Sequence, residues 1–208
     1  ETDMLLTQTG SEVGLGGFWP MDEANGGFAA DKARSHHAIL NGASWRVFPT
    51  GYAHEFNGTN AHIDIPTASS VIITDEMDYT MEFWFKGNKQ NNATLFSNGK
   101  GDQTDSSPKY KNIWVIGTNA TGNLYAKNNG SSITIPNSDQ FFTNEWHHFA
   151  LVLTRIGNTA IYIDGNLQSF DASSLFGGLN GVQMTFGARR KNAQSGPTYD
   201  QYFKGALD

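Results

Sequence analysis

Three carboxylates, Glu76, Asp78 and Glu82, stand in one short stretch, DEMDYTMEFWFKG (residues 75–87). Glycoside hydrolysis needs two such groups flanking the scissile bond, about 5–5.5 Å apart in retaining enzymes. Residues two apart on one strand face are separated by roughly 6.5–7 Å at the backbone, and residues six apart by roughly 20 Å. Glu76 and Glu82 are therefore too far apart to share a bond. The stretch reads as scaffold and not as an acid–base pair.

Other catalytic constellations are missing from the sequence. There is no Gly-x-Ser-x-Gly elbow, phosphate loop or dinucleotide fingerprint. His36–His37 and His147–His148 are adjacent pairs, and neighbours on an extended strand point to opposite faces, so neither pair can clamp one metal. His148 reads as a packed, hydrogen-bonded residue. Cysteine is absent, which removes disulfides and thiolate metal sites.

The remaining chemistry is that of binding. Sugars pack C–H faces on aromatic rings and need polar neighbours for their hydroxyls. Tyr110, Trp114, Tyr125 and Tyr199 lie in or near two long polar segments, residues 99–111 and 189–201, with Trp45 a further candidate. Loops on a rigid β scaffold are where such sites collect. A net charge of −6 argues against nucleic acid, whose affinity comes from neutralised phosphates. The one basic cluster, Arg189-Arg190-Lys191, reads as a solvated loop. Asn57, Asn92, Asn119 and Asn129 begin glycosylation acceptor triplets, a pattern that Asn-rich loops also generate by chance. No apolar run reaches the length of a membrane span.

The elements that must position these residues are short strands. AHIDIP alternates Ile63 and Ile65 with His62 and Asp64. YTMEFWF sets Tyr79, Met81, Phe83 and Phe85 on one face and Thr80, Glu82 and Trp84 on the other. NIWVIGT, NLYAKN, SITIP, HHFALVLT, TAIYID, LQSF and VQMTFGA continue the pattern, punctuated by turns such as Asn57-Gly58 and Asp164-Gly165. Asp164-Gly165 predicts a tight hairpin. Only TDMLLTQ and SDQFF could form a helical turn. Such spacing predicts an all-β sandwich or jelly roll, with residues 1–12 a tail or linker and residues 13–208 one domain.

Read in order, GGFWPMDEANGGFAADKARSHHAILNGASW, YAHEFNGTNAHIDIP, DYTMEFWFKG, EWHHFALVLTRIGNTAIYIDGNLQ, MTFGA and YFKGALD resemble laminin G-like, concanavalin A-like jelly-roll domains, a group that also includes pentraxin-like modules. The resemblance implies two antiparallel sheets packed face to face, with Trp84 a buried core residue. Laminarinase-type hydrolases share the fold but use Glu-x-Asp-x-x-Glu, one residue tighter than the spacing here. The resemblance also implies structural calcium where the first strand, a Gly turn and the penultimate Asp meet. By position that falls on the backbone near Asp22, on Asn57 and Gly58, and on the carboxylate of Asp208. The pentraxin-type double site is not expected, because Arg189, Arg190 and Lys191 occupy its acidic positions. The family pattern runs on past the Asp208 position into a final strand beside the first, so that strand reads as trimmed from the sequence or supplied by a partner. An unpaired edge beside residues 18–22 is then expected.

The resulting expectation is a non-catalytic recognition or adhesion module of a secreted or cell-surface multidomain protein. Its partner would be a glycan or an extracellular protein. A laminarinase-like hydrolase and a structural spacer are the alternatives.

Overall fold

The computed structural model describes residues 14–49, 51–66, 73–74, 77–99, 114–128, 131–154, 158–171, 179, 183–193 and 196–208. Two antiparallel sheets make up a sandwich. One runs edge to edge as β1 (Phe28–Ala29), β2 (Ala38–Asn41), β5 (His62–Ile65), β14 (Met184–Phe186), β7 (Thr94–Asn98), β8 (Trp114–Thr118), β9 (Leu124–Asn128) and β10 (Ser131–Thr134). The other runs as β13 (Asn166–Asp171), β12 (Thr159–Ile163), β11 (Thr143–Leu153), β6 (Tyr79–Asn88), β17 (Lys204–Leu207), β4 (Gly51–Asn57) and β3 (Ser44–Phe48). A separate two-stranded hairpin pairs β15 (Arg189–Ala193) with β16 (Gly196–Asp200). Ser138–Phe141 forms one 3-10 turn.

Period-2 alternation builds the core directly. On β6, Phe83 and Phe85 are buried while Thr80, Glu82 and Trp84 are exposed. Phe83 lies opposite Phe149 of β11 and stacks on it at 5.0 Å, and Met81 lies opposite Leu151. From the facing sheet, Ile63, Ile65, Phe96, Trp114, Ile116, Leu124 and Ala126 close the same cluster. Asp164 and Gly165 carry φ of 51° and 73°, the left-handed pair of a type I′ hairpin that joins β12 to β13. Gly187 turns the chain from β14 to β15 at φ 78°, where a Cβ would stand 2.2 Å from the Phe56 ring.

Buried Asp31 anchors the segment that leads into β1. Its carboxylate accepts backbone N–H bonds from Phe18, Ala33, Arg34 and His36 at 2.9–3.1 Å. Met21 enters the core with φ 53°, which leaves Asp22 exposed beside the end of β17.

β17 sits centrally, antiparallel to both β6 and β4. Asp208 extends it by one pair: Trp84 N–H donates to the Asp208 carbonyl at 2.7 Å and Asp208 N–H donates back at 3.1 Å. Among the described residues no strand lies between Tyr79–Phe83 of β6 and Gly51–Tyr52 of β4.

Candidate binding face

The sheet built around β6 presents a face whose cross-strand rows follow from register. His148, Trp84 and Asp208 form one row across β11, β6 and the extension of β17, and Ala53 and Arg46 pair on β4 and β3 at the same level. The next row holds Trp146, Lys86, Ala206, Glu55 and Ser44. Trp84 is 46% exposed in the middle of this face, with the His148 ring 5.0 Å away. His148 Nε2 lies 3.7 Å from Glu82 Oε2. A large aromatic left open between a carboxylate and an imidazole can stack a sugar ring and hydrogen-bond its hydroxyls.

This face is concave. Phe48 on edge strand β3 and Trp146 on β11 are four strand spacings apart and four residues out of level, roughly 23 Å on a flat sheet. Their rings nevertheless meet edge to face at 5.0 Å. Only a strongly curled sheet brings them together, and Trp84 lies on the inside of the curl.

The opposite outer face, on the sheet around β14, is covered over β5, β14 and β7 by the β15–β16 hairpin, while Phe28 and Ile39 toward one edge and Lys127 toward the other stay exposed. Ser97 Oγ donates to the Ala188 carbonyl at 3.0 Å. Tyr199 Oη donates to Asp64 Oδ2 at 2.7 Å, Thr185 Oγ1 donates to Asp64 Oδ1 at 2.8 Å, and the His62 ring lies 3.9 Å from Tyr199. Burial, reinforced by the hydrogen bond to Asp64, pushes the Tyr199 hydroxyl up to about 12. Arg189 clasps Asp200 through two bonds at 2.8 and 2.7 Å, and Lys191 adds a third contact at 2.7 Å. These salt links hold Asp200 below the usual carboxylate range against the opposing effect of burial, which is the largest single influence. Arg189-Arg190-Lys191 is thus a strand of a docked hairpin, and not the solvated loop its composition suggests.

The nominated ligand residues scatter. Trp114 is fully buried and belongs to the core. Tyr199 is committed to Asp64, and Tyr125 lies half-buried near Arg189 and Asp200, its hydroxyl raised chiefly by burial. Trp45 donates from Nε1 to the Gly26 carbonyl at 3.0 Å. Tyr110, with all but the first residue of the 99–111 segment, lies outside the described residues, as does Glu76. The expectation that Trp84 is buried fails outright. The alternation that places Phe83 and Phe85 inward already put Trp84 on the other face, and that period was the signal which identifies it. His147 and His148 do face opposite ways: His147 packs near Phe85 and holds Asp164 at 2.7 Å, whereas His148 lies beside Trp84.

The four residues nominated for calcium divide into two places. Asp22 and Asp208 are neighbours: burial, then repulsion from Asp22, pushes the Asp208 carboxyl up to about 6. Asn57 and Gly58 lie at the other end of β17, paired with Lys204, about 13 Å away along the strand. Asn57 Oδ1 already accepts from the N–H groups of Thr59, Asn60 and Ala61. Calcium takes six to eight oxygens, and among the described residues no three His, Cys, Asp or Glu side chains gather to hold a metal. The four do not fit one ion.

Several buried polar side chains, Asn128, Thr159 and His54 among them, make no side-chain hydrogen bond among the described residues. His54 on β4 is wholly buried with its ring 3.9 Å from Trp45, and neither ring nitrogen has a partner among the described residues. Burial lowers its pKa to about 4.

Comparison with known proteins agrees with this architecture. A family model described as the concanavalin A-like lectin/glucanases superfamily, Laminin_G_3, matches residues 57–208. The chain belongs to that family. A search of curated proteins found no match. Among solved structures, the binding domain of Paraclostridial Mosquitocidal Protein 1 superposes with a TM-score of 0.61 at 16% identity, over 86% of this chain and 44% of that one. The botulinum neurotoxin serotype G binding domain gives 0.58 at 17% identity, over 88% and 44%. Domain 4 of AbnA, a GH43 extracellular arabinanase from Geobacillus stearothermophilus solved with arabinotriose, gives 0.54 at 17% identity, over 86% and 83%. This chain spans less than half the length of the mosquitocidal-protein and neurotoxin binding domains. At these identities the likeness is one of fold. Among the described residues no helix is long and apolar enough to cross a membrane.

Proposed function

We propose that this chain is a non-catalytic recognition module of a secreted or cell-surface multidomain protein, binding a glycan across the concave face with Trp84 as its platform. The observation that carries the reading is an indole 46% exposed at the centre of a curled sheet. Single exposed apolar residues are common, and Phe28, Val47 and Phe170 are more exposed. What sets Trp84 apart is a flat indole flanked by polar groups on a curled sheet, a partner of the right shape for a sugar face. Glu82, His148 and Asp208 supply polar neighbours on both sides. Two of the similar solved structures are binding domains, of a mosquitocidal protein and of a botulinum neurotoxin, and the arabinanase domain was solved in complex with arabinotriose. Calcium enters this proposal only at the Asp22–Asp208 pair, where a divalent cation would relieve carboxylate repulsion.

The test is affinity electrophoresis of the wild-type chain and Trp84→Ala through gels containing arabinan, dextran, xylan or polygalacturonate. Retardation of the wild type by at least one polymer, lost in Trp84→Ala, is the expected result. Equal mobility of the two proteins in every gel would refute the reading.

A further inference from the structure

The concave face has a corner in which two cations and an indole N–H share a single acid, Glu55. Lys86 Nζ lies 5.8 Å from the centroid of the Phe48 ring, Arg46 Cζ lies 5.6 Å from the same centroid, and the Trp146 ring packs against its edge. Lys86 and Trp146 are directly opposite each other in register. Trp146 Nε1 is shielded from solvent and has no acceptor among the described residues. A buried N–H without an acceptor is rare, because leaving it unpaired costs about 1–3 kcal/mol. Arg46 is half of an ion pair with Glu55, but Lys86 Nζ has no carboxylate within 4.0 Å among the described residues. Two cations are therefore held over one aromatic ring beside an unused indole N–H, with only one acid among them. Lys86 follows Trp84 by two residues on the same face of β6, about 7 Å along the strand. That is the scale of a single sugar residue.

We infer that the glycan bound at Trp84 is acidic, its carboxylate or sulfate seated on Lys86 and Arg46 beside Phe48. This rests on the glycan reading above and adds the class of sugar. The protein as a whole is acidic, with net charge −6, so general attraction would not bring such a polymer here. The contact has to be local. A charge-assisted bond from Lys86 is strong where an aromatic ring limits water around it.

The experiment titrates the chain with dextran, dextran sulfate and polygalacturonate by isothermal calorimetry at two salt concentrations. Dextran is the neutral arm, and the other two separate sulfate from carboxylate. Tighter binding of at least one acidic polymer than of dextran is expected, weakening with added salt. Lys86→Gln should bind that polymer about tenfold more weakly, the loss of one charge-assisted hydrogen bond. Lys127→Gln, which removes an exposed lysine from the other sheet, should leave it unchanged. If Lys86→Gln does not fold, as judged by its thermal midpoint, Arg46→Gln takes its place with the same expectation. Acidic polymers that bind no tighter than dextran, or a Lys127→Gln loss equal to that of Lys86→Gln, would overturn the inference while leaving the Trp84 platform intact. Binding that survives Trp84→Ala would instead overturn the platform itself.

Discussion

The two outer faces of this sandwich begin from the same alternating strands and end differently. On the sheet around β14, the outward residues Asp64, Thr185 and Ser97 are polar, and the β15–β16 hairpin lies over them, clasped by Tyr199 and by the serine. On the sheet around β6, the outward residues are Trp84, Lys86, Trp146 and His148, and among the described residues no hairpin covers them. One face uses its hydrogen bonds on itself. The other leaves an indole open to solvent and a lysine with no carboxylate within 4.0 Å among the described residues. In a fold that hosts many unrelated functions, it is the uncommitted face that carries functional information.

The sharpest way to break this comparison is to truncate one tryptophan from each setting. Trp114→Ala empties a fully buried site and should lower stability by about 3–5 kcal/mol. Trp84→Ala should leave stability within about 1 kcal/mol and act on binding alone. Chemical denaturation of both variants checks this, and a large loss in Trp84→Ala would make that indole a structural residue.

His54 gives the next largest effect. Its folded pKa of about 4 lies below the 6.5 of a free imidazole, so the unfolded chain binds the proton more tightly. Stability is intact above about pH 6.5 and is lost as the pH falls toward 4, by up to about 3 kcal/mol. His54→Leu should flatten that part of the curve of unfolding free energy against pH.

The covered face can be tested through its clasp. Tyr199→Phe removes a hydrogen bond to a carboxylate and should destabilise the hairpin by about 1.5–3 kcal/mol. Faster amide exchange confined to residues 189–193 and 196–200 is the expected signature. Because the folded hydroxyl titrates near 12 and a free tyrosine near 10, the clasp contributes fully below pH 10 and is lost as pH rises toward 12.

The smallest effect belongs to the acidic pair. Asp22→Asn should raise the thermal midpoint at pH 7 by a degree or two, about 0.5 kcal/mol, by removing repulsion with Asp208. Added calcium should raise the wild-type midpoint and leave that of the variant unmoved.

Much of the architecture was legible in the chain. Alternation at Ile63–Ile65 and Tyr79–Phe85 gave the strands and their inward faces, and Asp164-Gly165 located a hairpin. The proposed binding face was harder to read. A tryptophan between two phenylalanines looks like core, and the family resemblance encouraged that view of Trp84, although its period placed it outward. Trp114 misled in the opposite sense, since a strand buried on both faces shows no alternation. Arg189-Arg190-Lys191 looked like a loop because its partner, Asp200, lies across a hairpin that local composition does not announce. The Lys86–Phe48–Trp146 corner could not be read at all. It joins three strands through sheet curl, and curl leaves no mark on any one of them.

The measurement that bears most directly on the central claim is a tryptophan-oxidation footprint with N-bromosuccinimide, read residue by residue by mass spectrometry, with and without a retained glycan. Trp84 should be oxidised early and Trp114 last in the free protein, as their exposures of 46% and 0% require. Glycan should then protect Trp84 selectively. Unchanged oxidation of Trp84 under saturating glycan would place the ligand elsewhere and contradict the account.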